Sequence, residues 1–350
     1  MPDTTPSGRT RWTNPGFYLS ILVLALLLGN PLIIHSTTVI QIFILVLWYA
    51  CLTASWNLVG GFAGVLPLGH AVFAGIGAYT STLLFIHGGV SPWIGMLVGG
   101  AVAAGVALLI GMPTFKLHGA YYALSSIAFV EAVRIITENT QEIWGVKVNG
   151  VQGLLVPLKG HAPLYYQFGS KLWYYYVILA LLGVIIYVSY RIHRSRMGYC
   201  LVAGGEDQEA AESLGINVTR YKLIALALSA FFTALVGTFY AQLVLYVFPM
   251  GIISLNLSFE IAFIAIIGGR GTLLGPIIGA MILVPIGEIS RIYLSGSQFL
   301  GIHLFLYGTI IILVMTFKPS GVMQTIEQGY KVLVNKLGGG AGQPNRKGVL

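Results

Sequence analysis

The sequence predicts an all-α, polytopic membrane protein of about ten transmembrane helices, and three observations carry that prediction. Of 350 residues, 56% are hydrophobic and 9% charged, with a mean hydropathy of +0.83; an ordinary soluble domain carries about a quarter charged residues. Apolar stretches long enough to cross roughly 30 Å of hydrocarbon recur along the whole chain, so no separate soluble domain is expected. The 45 glycines suit helices that must approach closely in a solvent that supplies no hydrophobic drive between them.

In chain order the expected spans are 17–34, 39–59, 65–86, 92–111, 119–137, 172–190, 222–246, 254–268, 272–289 and 299–317. The first is longer than a signal-peptide core and lacks a small-residue cleavage site, so it is read as a retained helix. Arg9 and Arg11 place the segment 1–16 in the cytoplasm by the positive-inside rule. Counting crossings from there puts 138–171 outside and returns the basic loop 191–221, with Arg191, Arg194, Arg196 and Arg220, to the cytoplasm. The tail 318–350 carries Lys318, Lys331, Lys336, Arg346 and Lys347, so it too belongs inside. That demands an even number of crossings, which is why the stretch 254–289 is divided at Gly268, Gly269 and Gly271.

The net charge of +8 is spread over short loops and forms no dense patch, so it marks topology and no nucleic-acid partner is expected. Cys51 in a span and Cys200 in a basic loop suggest neither a disulfide nor a metal site. No GxxxxGK[ST], HExxH or GxSxG motif occurs. Energy must therefore come from a partner or an ion gradient, and an enzyme is disfavoured.

Four groups of residues stand out. The segment 57–79 holds Asn57, Gly60, Gly61, Gly64 and His70, and its Ala71, Gly75 and Ala78 share one helical face suited to close contact. Its polar members should face the protein interior or an aqueous path. For His70 a bond to a backbone carbonyl near a helix start weighs at least as much as a ligand role, since no second histidine or carboxylate sits at metal-ligand spacing. The second group, Gly268, Gly269 and Gly271, leads through Gly275 to Gly279 as Gly60 to Gly64 leads through Gly69 to Gly77. Such Gly-interrupted segments in two halves point to broken helices lining a transport path, although Gly-rich packing surfaces also look alike by composition.

The third group is charged. Glu131 with Arg134 and Glu288 with Arg291 lie three apart on helices and are read as local pairs. Glu260 has no basic residue within a helical turn, and burying it costs on the order of 3 kcal/mol even on the mildest insertion scale. It must be protonated, satisfied by another helix, or exposed to an internal cavity. The fourth group lies in the loop 191–221, where Gly204 and Gly205 precede an acidic run and Gly215 follows it. This punctuation predicts a short helix over 206–214 presenting Ala210, Ala211 and Leu214 on one apolar side. Two helical turns have little stability alone, so the helix must rest on a partner or on the bundle.

Glu209-Ala210-Ala211 followed by Gly215 resembles the EAA-x-x-x-G signature of bacterial ATP-binding cassette (ABC) importer permeases, without the later isoleucine and proline of its fullest form. The segments 57–79, 268–280 and 317–321, in the same order, resemble the branched-chain amino acid permease family, and within it the longer of two permease partners. The resemblance implies an ABC permease fold over 17–317 and a coupling loop at 191–221. It implies a helix carrying Glu209, Ala210, Ala211, Leu214 and Gly215 that docks on an ATPase. No cofactor is expected in this chain; ATP and Mg would act on two cytoplasmic ATPase subunits. A second homologous permease, an extracytoplasmic solute-binding protein and membrane lipid complete the expected partners. Branched-chain or similar hydrophobic amino acids are the implied solutes, with urea or short amides, or an ion-coupled secondary transporter, as alternatives.

Overall fold

The computed structural model describes residues 36–117, 119–143, 146–160 and 163–294, together with 308–309, 312–313, 316 and 321–323. The expected span 17–34 lies outside the described residues, as do the segment 1–16 and most of 299–317 and 318–350. Among the described residues eight helices are long and apolar enough to cross a membrane. They correspond to the second through ninth expected spans, so the chain is a polytopic all-α membrane protein.

In chain order the helices are α1 (Thr37–Gly60), α2 (Ala71–Gly88), α3 (Pro92–Thr114), α4 (Ala120–Asn139), α5 (Lys171–His193), α6 (Arg196–Glu206), α7 (Gln208–Ser213), α8 (Val218–Val244), α9 (Pro249–Ile252), α10 (Leu255–Gly269) and α11 (Gly275–Leu294). Pro92 opens α3 at a position where its missing N–H costs nothing. Ser170, Ser195, Asp207, Asn217 and Ser254 cap α5, α6, α7, α8 and α10, each accepting a backbone N–H.

Helix α1 is the hub, packing against α5, α8, α10 and α11, while α2, α3 and α8 form a second tight group. Glycine makes the second group close: a Cβ on Gly77 would collide with the carbonyl of Ala234, and one on Gly237 with that of Ala74. Gly75, on the face expected to make close contact, lies against Ile253. Bringing backbones together in this way gains dispersion contacts, the attraction that remains when lipid is as apolar as the side chains.

One end of the bundle is covered by the segment between α4 and α5. A short antiparallel pair, β1 (Glu142–Ile143) with β2 (Val146–Lys147), is followed by β3 (Leu154–Leu155), which pairs with β4 (Tyr246–Val247) after α8. Trp93 Nε1 donates to Pro163 O at 2.9 Å, and buried Gln167 donates to Pro157 O at 2.9 Å. The opposite end carries α6 and α7.

Two boundaries differ from expectation. The span read as 65–86 becomes helical only at Ala71, because Pro67 lies in an extended stretch whose polar backbone is met elsewhere. Trp56 Nε1 donates to Pro67 O at 2.7 Å, and Leu68 N–H to Ser126 Oγ at 2.9 Å. Non-helical backbone survives within a bundle only when it is satisfied in this way. The second correction concerns Gly204 and Gly205, which do not mark the start of the short helix but lie inside α6. Asp207, with extended dihedrals, separates α6 from α7 and caps the latter.

Candidate functional site

The two Gly-rich interruptions, far apart in sequence, meet in space. Helix α1 ends at Gly60 and α10 at Gly269, and each is followed by irregular backbone before the next helix starts. Asn57, 3% exposed in the last turn of α1, spans the gap between them. Gly271 N–H donates to Asn57 Oδ1 at 2.9 Å, and Asn57 Nδ2 donates to Thr272 O at 2.8 Å. One primary amide thus satisfies a donor and an acceptor that a broken helix leaves orphaned.

The glycines are what let this clamp close. A Cβ on Gly61 would collide with Asn57 Oδ1 and fall 2.6 Å from Gly271 N; one on Gly60 would enter the Trp56 ring. Gly268 lies against the carbonyl of Gly275, the first residue of α11. Gly269 has φ 120° and Gly271 φ 76°, backbone that L side chains adopt only with strain. Gly321 and Met323, described beyond α11, lie against Gly269, so the chain has returned to this end of the bundle.

Gly64 connects the clamp to the α6–α7 unit. A Cβ there would fall 3.0 Å from Gly205 Cα, and one on Gly205 would fall 3.1 Å from the carbonyl carbon of Ala63. The rings of Phe62 and His193 lie tilted against each other nearby, with centroids 5.1 Å apart. Gly204 in turn meets Val218 of α8. The glycines of α6 are therefore there for close approach and not for helix punctuation.

Helix α7 itself is closed by hydrogen bonds at both ends. Ala210 N–H donates to Asp207 Oδ1 at 3.0 Å. At the other end Gly215 N–H donates to Glu212 O at 2.9 Å and Ile216 N–H to Ala211 O at 3.2 Å. With Gly215 at φ 82° this is a Schellman ending. The expected apolar side is divided: Ala211 is 4% exposed and packs inward, whereas Ala210 and Leu214 face out, Leu214 at 82%. Glu209 is also exposed. Lys222 Nζ donates to Gln208 Oε1 at 2.8 Å, tying α7 to α8. A lysine at the start of an apolar span gave no sequence signal of that role beyond its position.

His70 stands apart from the clamp, wholly buried immediately before α2. Its Nε2 lies 2.6 Å from Ser229 Oγ, and Ser229 donates to Ser55 O at 2.5 Å. Because the serine has one hydrogen and spends it on Ser55, Nε2 must be the donor, and Nδ1 is left without a hydrogen-bond partner among the described residues. Ala71 N–H donates to Ser258 Oγ at 3.1 Å, so the start of α2 is held by α8 and α10 together. Sequence reasoning missed Ser229 and Ser258, which look like ordinary small residues in apolar spans.

Glu260 lies on α10, toward the end of the bundle opposite the clamp. Tyr49 Oη of α1 donates to its Oε2 at 2.5 Å, so another helix satisfies it. It also borders a cavity of about 540 Å³ shared by α1, α5, α8, α10 and α11. Of the three sequence alternatives the cross-helix partner holds, and the cavity that the carboxyl borders is a half-open cleft, not an enclosed one. The local pairs form as read: Arg134 bridges Glu131 and Glu138, and Arg291 bonds Glu288 at 2.6 Å.

The family described as branched-chain amino acid transport system, permease component, matches residues 38–315. The high-affinity branched-chain amino acid transport system permease protein LivM of Escherichia coli is 30% identical over 88% of this chain and 74% of its own length. LivH of Salmonella typhimurium is 23% identical over 79% of this chain and 91% of its own. A nucleoside ABC transporter permease protein of Lactococcus lactis, NupC, is 24% identical over 68% of this chain and 76% of its own. No solved structure matches the chain.

Proposed function

The chain belongs to the permease-component family of branched-chain amino acid transport systems, and from that premise we propose how it works. It is a multi-pass cell-membrane subunit of an ABC importer for branched-chain amino acids, and a transport subunit, not an enzyme. The observation that carries this is a family match running through every described span. Both a LivM and a LivH protein are similar to it, which supports pairing with a second, homologous permease. Two cytoplasmic ATPase subunits would bind ATP and Mg, and an extracytoplasmic solute-binding protein would deliver the amino acid.

In this reading α7 is the surface on which an ATPase docks. Leu214 and Ala210 are exposed, small or apolar, and presented by a helix closed at both ends. Behind it, Gly205 touches the Ala63–Gly64 turn, and that turn leads to Asn57 and the break at Gly271. A push on α7 would reach both broken helices through backbone contact, with no long side chain to absorb it.

The test is a reconstituted complex of all subunits in vesicles. Labelled leucine should accumulate with ATP and not without it, and urea should not. Leu214→Asp should lower ATPase co-purification and ATP-driven uptake at least tenfold, since a buried unpaired charge costs about 1–3 kcal/mol or more. Full uptake driven by an ion gradient without ATP would overturn the importer reading, and an unaffected Leu214→Asp complex would remove α7 from the interface.

A further inference from the structure

Glu260 has a hydrogen-bond partner, but no ionic one, among the described residues. It shares its cavity with Glu288, Arg291 and Lys171, two carboxylates and two cations in all. Glu288 and Arg291 neutralise each other at 2.6 Å. Lys171 donates to Gln41 Oε1 at 2.5 Å, a neutral partner, near the cavity mouth where α1 and α5 begin. Among the described residues the space is thus charge-balanced overall, while one carboxylate and one ammonium lack an opposite charge. Ionisable side chains in a membrane bundle that face a cavity mark a ligand path more readily than a packing role.

The donor inventory refines this. Arg291 spends Nε and Nη2 on Glu288 Oε2, and among the described residues its Nη1 has no recorded acceptor. A guanidinium presents five donors in a rigid fork, so one edge remains for a planar anion. Its side chain is 60% exposed, against 20% for Glu288, so that edge is accessible. Tyr49 occupies one oxygen of Glu260 and leaves Oε1 for a cation. Leu45, Leu243 and Leu257 supply apolar wall between these polar points. The volume, about 540 Å³, lies within the roughly 300–1,000 Å³ of small-molecule sites.

We propose that this cavity is the permease's own seat for a zwitterionic aliphatic α-amino acid. Glu260, held by Tyr49, takes the α-ammonium, the free edge of Arg291 takes the α-carboxylate, and the aliphatic side chain lies on the leucine wall. Lys171 at the mouth offsets the second acidic charge. The proposal rests on the importer reading and adds to it a site on this chain that selects by charge at both ends of the substrate. A monovalent cation would leave Lys171 without an opposite charge and the free edge of Arg291 without an acceptor, and an anion would face Glu260.

The experiment measures displacement of labelled leucine from the purified full complex, without binding protein, by three probes. These are leucine, 3-methylbutylamine, which lacks the carboxylate, and 4-methylpentanoate, which lacks the ammonium. Wild type should prefer leucine over each analogue by about tenfold or more, the worth of one charge-assisted hydrogen bond. Glu260→Gln should lose the preference over 4-methylpentanoate and keep that over the amine, whereas Arg291→Gln should do the reverse. A purely structural role would weaken all three probes alike and would overturn the proposal. Should either variant fail to assemble, Asn256→Trp fills the cavity from an exposed rim position and should lower leucine binding at least about tenfold; unchanged binding would overturn the proposal. If wild type takes up leucine with ATP but the variants keep its preferences, only this site falls. If wild type takes up no leucine, the importer reading falls and the site with it.

Discussion

At Asn57 a single side chain decides whether two broken helices fit together. Its amide meets Gly271 N–H and Thr272 C=O inside the protein, where an unmet backbone group costs about 1–3 kcal/mol. Asn57→Ala should therefore lower the thermal unfolding temperature of the detergent-purified chain and reduce ATP-driven uptake. Asn57→Asp should fall between, because a carboxylate can accept from Gly271 but cannot donate to Thr272. If Asn57→Ala unfolds at the wild-type temperature, water is replacing the amide and the clamp is not structural. His70 belongs to the same class of residue. Its ring bonds the Ser229 hydroxyl, which in turn donates to Ser55 O, a side-chain partner in place of the backbone carbonyl expected near the helix start.

Among elements, the α10–α11 break and the α6–α7 unit matter most to the proposed mechanism. A leucine at Gly269 would need φ near 120° and would crowd Met323, whose Cβ is 3.0 Å from the added carbon. At Gly308, in the last expected span, an added Cβ meets nothing within 4 Å among the described residues. Gly269→Leu should thus cut uptake at least about tenfold while Gly308→Leu leaves it near wild type. Equal tolerance at both sites would reduce the break to generic packing. In α7, Ala211 is committed to the chain's own packing, so a bulky charge there would disturb folding and docking together. Only the outward Ala210 and Leu214 can report on a partner surface cleanly.

For the whole molecule, charge distinguishes the two ends of the bundle. The described helices alternate direction, with α6, α7, the clamp and Gly321 at one end, and the 140–168 segment and the Glu260 cavity toward the other. The basic loop carrying Arg191, Arg194 and Arg196 belongs to the α6–α7 end, so by the positive-inside rule we expect that end to face the cytoplasm. In a background lacking Cys51 and Cys200, a membrane-impermeant thiol reagent should label a cysteine at Lys159 in intact cells and miss one at Ser213. Labelling at Ser213 would invert the molecule, and would put the amino-acid cavity on the wrong side to receive solute from outside.

The sequence alone determined what depends on local composition. Membrane residence, the eight described spans, the helix break near Gly268 and the presence of a short helix ending at Gly215 were all legible, because hydrocarbon thickness and orphaned backbone groups act on contiguous residues. The family resemblance was also legible, since it is carried by short motifs in order along the chain. The tertiary structure alone decided the pairings. Asn57 and Thr272 are 215 residues apart, and Tyr49 and Glu260 are 211 apart. No periodicity or spacing links such residues. The sequence could show that Gly204 and Gly205 were unusual but not that they served close approach to Ala63 and Gly64, because a glycine's neighbour across a helix contact leaves no mark on the residues beside it.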